Sequence, residues 1–185
     1  LIPLLDELCE EGKLFKNDGG RYGTSEQLGL IQGVVVGNER GFGFLTPTDK
    51  EKYTADFFIP KKGLHGALHG DTVLTERTYD YEYGERDEVR VVKILERGYN
   101  TIVGTFQKDR RAGYLFPDEK KFNREIYIPL SNCHQIKNGV KAVAKITSYP
   151  YGKCPGGEII EVLGDEDDFF AEELSIIRSY NLREE

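Results

Sequence analysis

Gly41-Phe42-Gly43-Phe44-Leu45, followed by Asp56-Phe57-Phe58-Ile59-Pro60, is the stretch whose pattern decides the fold. Residues two apart on a strand share a face, so Phe42 and Phe44 project together and Phe58 joins them from a neighbouring strand. The pattern recurs about 70 residues later as Gly113-Tyr114-Leu115-Phe116 and Glu125-Ile126-Tyr127-Ile128-Pro129. Alternation alone does not say which face is buried, and rings can fill a barrel core as well as stand outside it. The neighbouring apolar residues decide between the two. Phe57 and Ile59 already supply an inward face, as do Ile126 and Ile128, which turns Phe58 and Tyr127 outward. Outward rings beside glycine form a stacking platform for unpaired bases, at ~1–3 kcal/mol per base and with little sequence preference.

Strand signals continue on both sides of these motifs. Residues 31–36, 42–46, 55–59, 72–76 and 88–95 read as five strands, with 61–70 as a glycine- and histidine-containing crossover. Five short strands with one long connection fit a small Greek-key barrel of the OB type. The cycle restarts at Thr101, with strands expected at 101–107, 113–117, 125–128, 140–147 and 158–163. Gly33 and Gly104, Pro47 and Pro117, Pro60 and Pro129, and Gly70 and Gly139 fall in register once small gaps are allowed. The expected fold is mainly β: two tandem OB barrels, at 31–98 and 99–164. Residues 79–85 read as a polar hairpin tip, and 149–157, with two prolines and three glycines, as a mobile loop.

The ends differ in kind. Leu4, Leu5 and Leu8 share one helical face over 3–11, Pro3 is tolerated in the first turn, and Gly12 closes the helix. Leu14-Phe15-Lys16 and Arg21-Tyr22 flank Asn17-Asp18-Gly19-Gly20, a hairpin signal. A helix followed by a hairpin is the closing half of a winged helix, so 1–30 is expected as an appendage without a full core. At the other end, 165–168 offers N-cap carboxylates, Glu172 and Glu173 complement a helix start, and Phe170, Leu174 and Ile177 form an apolar stripe. Nothing in the barrels is an obvious partner for that stripe, which is expected to meet a segment beyond Glu185.

Composition narrows the function. No run of 18 apolar residues is present, so no transmembrane helix and no membrane partner are expected, and no secretory signal opens the chain. The start at Leu1, in a sequence without methionine, suggests a piece of a longer protein. Cys9, Cys133 and Cys154 lack metal-ligand or disulfide spacing and fit a reducing cytosol; a cytoplasmic monomer is the expectation. The formal net charge of −7 is unevenly spread: −3 over 1–32, −2 over 33–98, +6 over 99–157 and −8 over 158–185. Electrostatic footprints are local, and Lys108, Arg110, Arg111, Lys120, Lys121 and Arg124 flank the second aromatic motif. Cations for phosphates and rings for bases are what a single-strand groove needs.

The acidic run at 165–168 is not read as a metal site, because two-metal hydrolysis needs carboxylates fixed by a rigid scaffold, whereas a run at a helix start caps and solvates. His65 and His69 sit beside Gly66 and Gly70, which argue for a loop with surface polar residues. No catalytic or metal-binding residue is assigned within the chain.

Arg40-Gly41-Phe42-Gly43-Phe44-Leu45 with Asp56-Phe57-Phe58-Ile59-Pro60 resembles the paired nucleic-acid-binding motifs of cold-shock domains. Gly66-Ala67-Leu68-His69-Gly70-Asp71, Glu158-Ile159-Ile160-Glu161-Val162-Leu163-Gly164 and Ile176-Ile177-Arg178-Ser179-Tyr180-Asn181-Leu182 resemble the amino-terminal half of the bacterial ribonuclease R and ribonuclease II family. Such a resemblance implies a parent that is a magnesium-dependent, processive 3′-to-5′ exoribonuclease, with a nuclease domain in cis after this chain. It implies no cofactor in the chain itself. It also implies single-stranded RNA as the partner, bases stacking on Phe42, Phe44, Phe58, Tyr114 and Tyr127. Ala112 stands where the first copy has Phe42, so the second platform is smaller unless Phe116 substitutes as a stacking ring, and Arg40, Lys108, Arg110, Arg111 and Lys121 are expected on phosphates. A free-standing RNA chaperone and a protein-interaction scaffold are the alternatives from other classes.

Overall fold

A computed structural model describes residues 2–10, 14–16, 19–78, 87–150, 152–165 and 169–181. Its described elements run α1 (Ile2–Glu10), β1 (Phe15–Lys16), β2 (Tyr22–Gly23), β3 (Ile31–Gly37), β4 (Gly43–Pro47), β5 (Phe57–Ile59), β6 (Thr72–Thr78), β7 (Glu88–Glu96), β8 (Thr101–Lys108), β9 (Gly113–Pro117), β10 (Ile126–Ile128), β11 (Val140–Ser148), β12 (Gly156–Asp165) and α2 (Phe169–Asn181). Two closed five-stranded barrels result, in the orders β3-β4-β5-β7-β6 and β8-β9-β10-β12-β11. Each closes through one parallel pairing, Phe58 against Glu88 in the first and Tyr127 against Gly156 in the second. The connectivity is the same in both, so the repeat in sequence is a repeat in topology.

Period-2 alternation builds the cores. Ile31 and Val35 of β3, Leu45 of β4, and Phe57 and Ile59 of β5 point inward and meet Val73, Val89 and Val91. Phe106, Leu115, Ile126 and Ile128 occupy the matching positions in the second barrel with Ala142 and Ala144. Register shifts between β6 and β7 and between β11 and β12 bend the long strands enough to close each barrel. β12 begins at Gly156, so Gly156 and Gly157 are buried strand residues. Tyr149 is also held, with the Arg97 guanidinium 3.7 Å above its ring. The expected mobile loop is therefore shorter than its proline and glycine content suggested; Tyr151 within it lies outside the described residues.

The barrels are joined by packing. Leu68, from the crossover of the first barrel, inserts into the core of the second. Buried Asp71 accepts from the Leu68 amide at 2.8 Å, the Gly98 amide at 3.0 Å and Arg97 Nη1 at 2.7 Å. Burial raises its carboxyl above the usual range, and the two amides and Arg97 work against that rise. Gly98 crosses so close to Gly70 that a Cβ there would sit 2.2 Å from the Gly70 carbonyl, a contact only glycine permits. His69 is wedged between Tyr99 and Phe122, with ring centroids at 5.8 and 5.9 Å, and accepts the Gly37 amide at Nδ1. It is an interface residue rather than the surface one expected from its flanking glycines.

At the ends, β1 and β2 form the expected hairpin, and Lys93 ties α1 to the first barrel by donating to the Cys9 carbonyl at 2.9 Å. Gly12, Asn17, Asp18, the tip at 79–85 and the carboxylates at 166–168 lie outside the described residues. Helix α2 packs on the second barrel by Ala171 and Ser175, not by the Phe170, Leu174 and Ile177 stripe, which stays exposed. Ser175 Oγ donates to Asp118 at 2.9 Å, and Arg178 reaches Glu161 with two hydrogen bonds. No described helix is long and apolar enough to cross a membrane.

Candidate nucleic-acid interface

The outer face of the first barrel carries a three-ring cluster. Phe44 and Phe58 are directly opposite in the β4–β5 register, with centroids 5.9 Å apart. Phe42, just ahead of β4, completes the triangle at 5.7 Å from Phe44 and 5.5 Å from Phe58. Because Leu45, Phe57 and Ile59 occupy the inward positions, these rings have no core to enter; Phe44 is 37% exposed and the other two are partly so. The interplanar angles, 50° to 87°, leave several ring faces directed away from one another.

On the second barrel Tyr114 of β9 opposes Tyr127 of β10, at 6.0 Å between centroids. Ala112 takes the position of Phe42 and is buried. Phe116 lies on the same outer face as Tyr114 and is 48% exposed, but it pairs across to Thr105 of β8 and makes no ring contact among the described residues. The structure thus brings Tyr114 and Tyr127 together and leaves Phe116 as a separate ring further along the strand.

The turns that precede the platforms are built alike. Asn38 Oδ1 accepts the Arg40 amide at 2.9 Å, and the Gly41 amide donates to the Asn38 carbonyl. Asp109 Oδ1 accepts the Arg111 and Ala112 amides at 2.6 and 2.9 Å, and these two bonds hold its carboxyl below the usual range. Arg40, Arg110 and Arg111 are displayed at exposed turn positions, and Lys121 is exposed on the loop before β10. Lys108 differs, since its ammonium donates to the His134 and Cys133 carbonyls at 2.6 and 3.3 Å, inside its own barrel. Pattern reasoning passes over Lys61 and Lys153 and counts Arg124 only among the cations flanking the second motif; all three share a cleft with Arg40. No short motif joins them, although Arg124 directly precedes a recognised strand. Among the described residues, no group of three or more His, Cys, Asp or Glu side chains could hold a metal ion.

Comparison with known proteins identifies the pair of barrels. The family profile for the Ribonuclease B OB domain matches residues 33–94, and that for the Cold shock domain matches 114–185. Ribonuclease R of Aquifex aeolicus is 32% identical over 183 residues, which is 98% of this chain and 25% of that protein. The chain thus carries a Ribonuclease B OB domain and a Cold shock domain and is similar to ribonuclease R over nearly its whole length. It spans 39% of the ribonuclease R of Acidithiobacillus ferrooxidans and 25% of that of Aquifex aeolicus. The ribonuclease R fold is also found in solved structures. Mycoplasma genitalium RNase R in complex with ribose methylated single-stranded RNA aligns over 83% of this chain and 24% of that one, at 21% identity and a TM-score of 0.67. Yeast Ssd1, a pseudonuclease, aligns over 96% of this chain and 26% of that one, at 20% identity and a TM-score of 0.70. Both alignments speak to the fold alone.

Proposed function

We propose that this chain binds single-stranded RNA on its two outward ring platforms and guides it toward the nuclease domain of a ribonuclease R-like, magnesium-dependent 3′-to-5′ exoribonuclease. The observation that carries this reading is the Phe42–Phe44–Phe58 triangle on an outer barrel face, repeated as Tyr114–Tyr127 at the equivalent place. Bases stack on such rings with little sequence preference, and phosphates between them are within the province of Arg40, Arg110, Arg111 and Lys121. A relative of the same fold has been solved with single-stranded RNA, which supports the choice of ligand. Duplex RNA is a poor fit because its bases are stacked internally and its deep groove hides their edges. The magnesium and the hydrolytic step belong, in this reading, to the parent enzyme's nuclease domain. Titration of labelled single- and double-stranded RNA at two salt concentrations tests the proposal. Tighter binding of the single strand, weakening with salt, is expected; equal affinity for the two would overturn it.

A further inference from the structure

Beside the two platforms, in the seam between the barrels, lies a cavity of about 370 Å³. One wall presents Arg40, Gly41 and Lys61 from the first barrel, and the other presents Asn123, Arg124 and Lys153 from the second. Glu39 is the one carboxylate in the lining, against four cations. None of those four makes an ion pair with a described carboxylate. Four cations around one small space, with no ion-pair partner among the described carboxylates, repel each other, and a polyanion relieves that repulsion.

The walls are also fixed in place. Asn123 Nδ2 donates across the seam to the Asn38 carbonyl at 3.1 Å, tying the β3–β4 turn to the second barrel. Arg124 Nη1 donates to the Lys153 carbonyl at 3.1 Å, which orients its guanidinium. The stem of Lys61 lies over Gly41, where a Cβ would come within 3.3 Å of Lys61 Cδ. Each wall abuts a platform. Gly41 directly precedes Phe42, whereas Lys153 and Cys154 lead into Pro155, whose carbonyl accepts the Tyr127 amide at 2.8 Å.

We infer that this seam is a phosphate seat through which the backbone of one RNA strand crosses from the first platform to the second. The inference rests on the proposed RNA-binding function and adds to it that the barrels hold a single continuous strand rather than two independent short ones. Lys61 and Lys153 are exposed lysines outside both platforms, so reversing their charge leaves the cores and the rings intact.

The test compares the full chain with its Lys61→Glu/Lys153→Glu variant on two single-stranded RNAs. One has about four nucleotides, enough for one barrel, and the other about sixteen. The long RNA is expected to bind at least about tenfold more weakly to the variant at low salt. Its log–log salt slope should fall in magnitude by about 1.4, two phosphates at about 0.7 each. The short RNA should change by less than about twofold, since it needs only one platform. Equal losses for both lengths, or none for either, would overturn the seam while leaving RNA binding standing. Failure of the parent chain to bind either RNA would overturn both.

A second measurement does not depend on a variant. Cys154 lines the cavity, and burial together with its hydrogen bond to Glu125 pushes its thiol up, so slow alkylation at neutral pH is expected. The long RNA should protect Cys154 from alkylation at mildly alkaline pH and the short one should not, with partly buried Cys9 as the internal control. Unprotected Cys154 under saturating long RNA would overturn the inference.

Discussion

The two barrels share one topology and divide the means of binding differently. The first carries three mutually touching phenylalanines on a segment, 33–98, with a net charge of −2. The second carries two tyrosines, an alanine where the third ring would be, and a segment, 99–157, with a net charge of +6. Position on the sheet is set by the fold: the outer-face sites opposite each other on β4–β5 and on β9–β10 are structurally the same pair. What fills the surroundings is set by sequence. Stacking is nearly insensitive to salt, whereas phosphate contacts weaken steeply with it. The first barrel should therefore dominate binding at high salt, and the second should contribute most at low salt.

The largest effect on that comparison is expected from Phe44→Ala/Phe58→Ala. Removing the pair of rings that holds one stacked base, at ~1–3 kcal/mol per base, should weaken single-stranded RNA by about five- to hundredfold, with the salt slope unchanged. Anisotropy titration measures both quantities. A loss below about twofold would place the binding face elsewhere, because neither ring fills a core position and an unchanged melting temperature will confirm that the barrel persists. Tyr127→Ala should cost less, about three- to tenfold, since its platform has one partner ring rather than two. Tyr127→Phe should restore most of it. If only the hydroxyl mattered, the phenylalanine variant would be as weak as the alanine one.

Much of this architecture was legible in the sequence because period-2 alternation is a local signal. Phe57 and Ile59 pointing in force Phe58 out, and no distant residue can alter that while the strand exists. The features that escaped are those decided by partners far along the chain. His69 looks like a loop histidine until Tyr99 and Phe122 close around it. Helix α2 offers an obvious apolar stripe, yet it docks through Ala171 and Ser175, where small side chains allow close approach and Asp118 accepts a hydroxyl. Lys61, Arg124 and Lys153 come from three separate connections, so their convergence exists only once both barrels are folded and joined. Lys108 carries the same lesson in reverse, for a cation within a basic run can be consumed by its own barrel's carbonyls.

That contrast among cations gives the smallest and most discriminating prediction. Arg110 and Arg111 sit on a turn whose shape is held by Asp109, with both side chains at exposed positions, while the Lys108 ammonium is already committed to two carbonyl oxygens. Arg110→Ser/Arg111→Ser should therefore reduce the log–log salt slope by up to about 1.4, weaken RNA by only a few-fold at low salt, and converge with the parent at high salt. Lys108→Gln should leave the slope alone and lower the melting temperature instead, because the loss is of two charge-assisted hydrogen bonds within the protein. Salt titrations of the two variants beside their thermal melts separate the cases. If Lys108→Gln flattened the slope and the arginine pair did not, charge density along the sequence would be a better guide to phosphate contacts than hydrogen bonding in the fold, and the division of labour between the barrels would have to be redrawn around the base of β8.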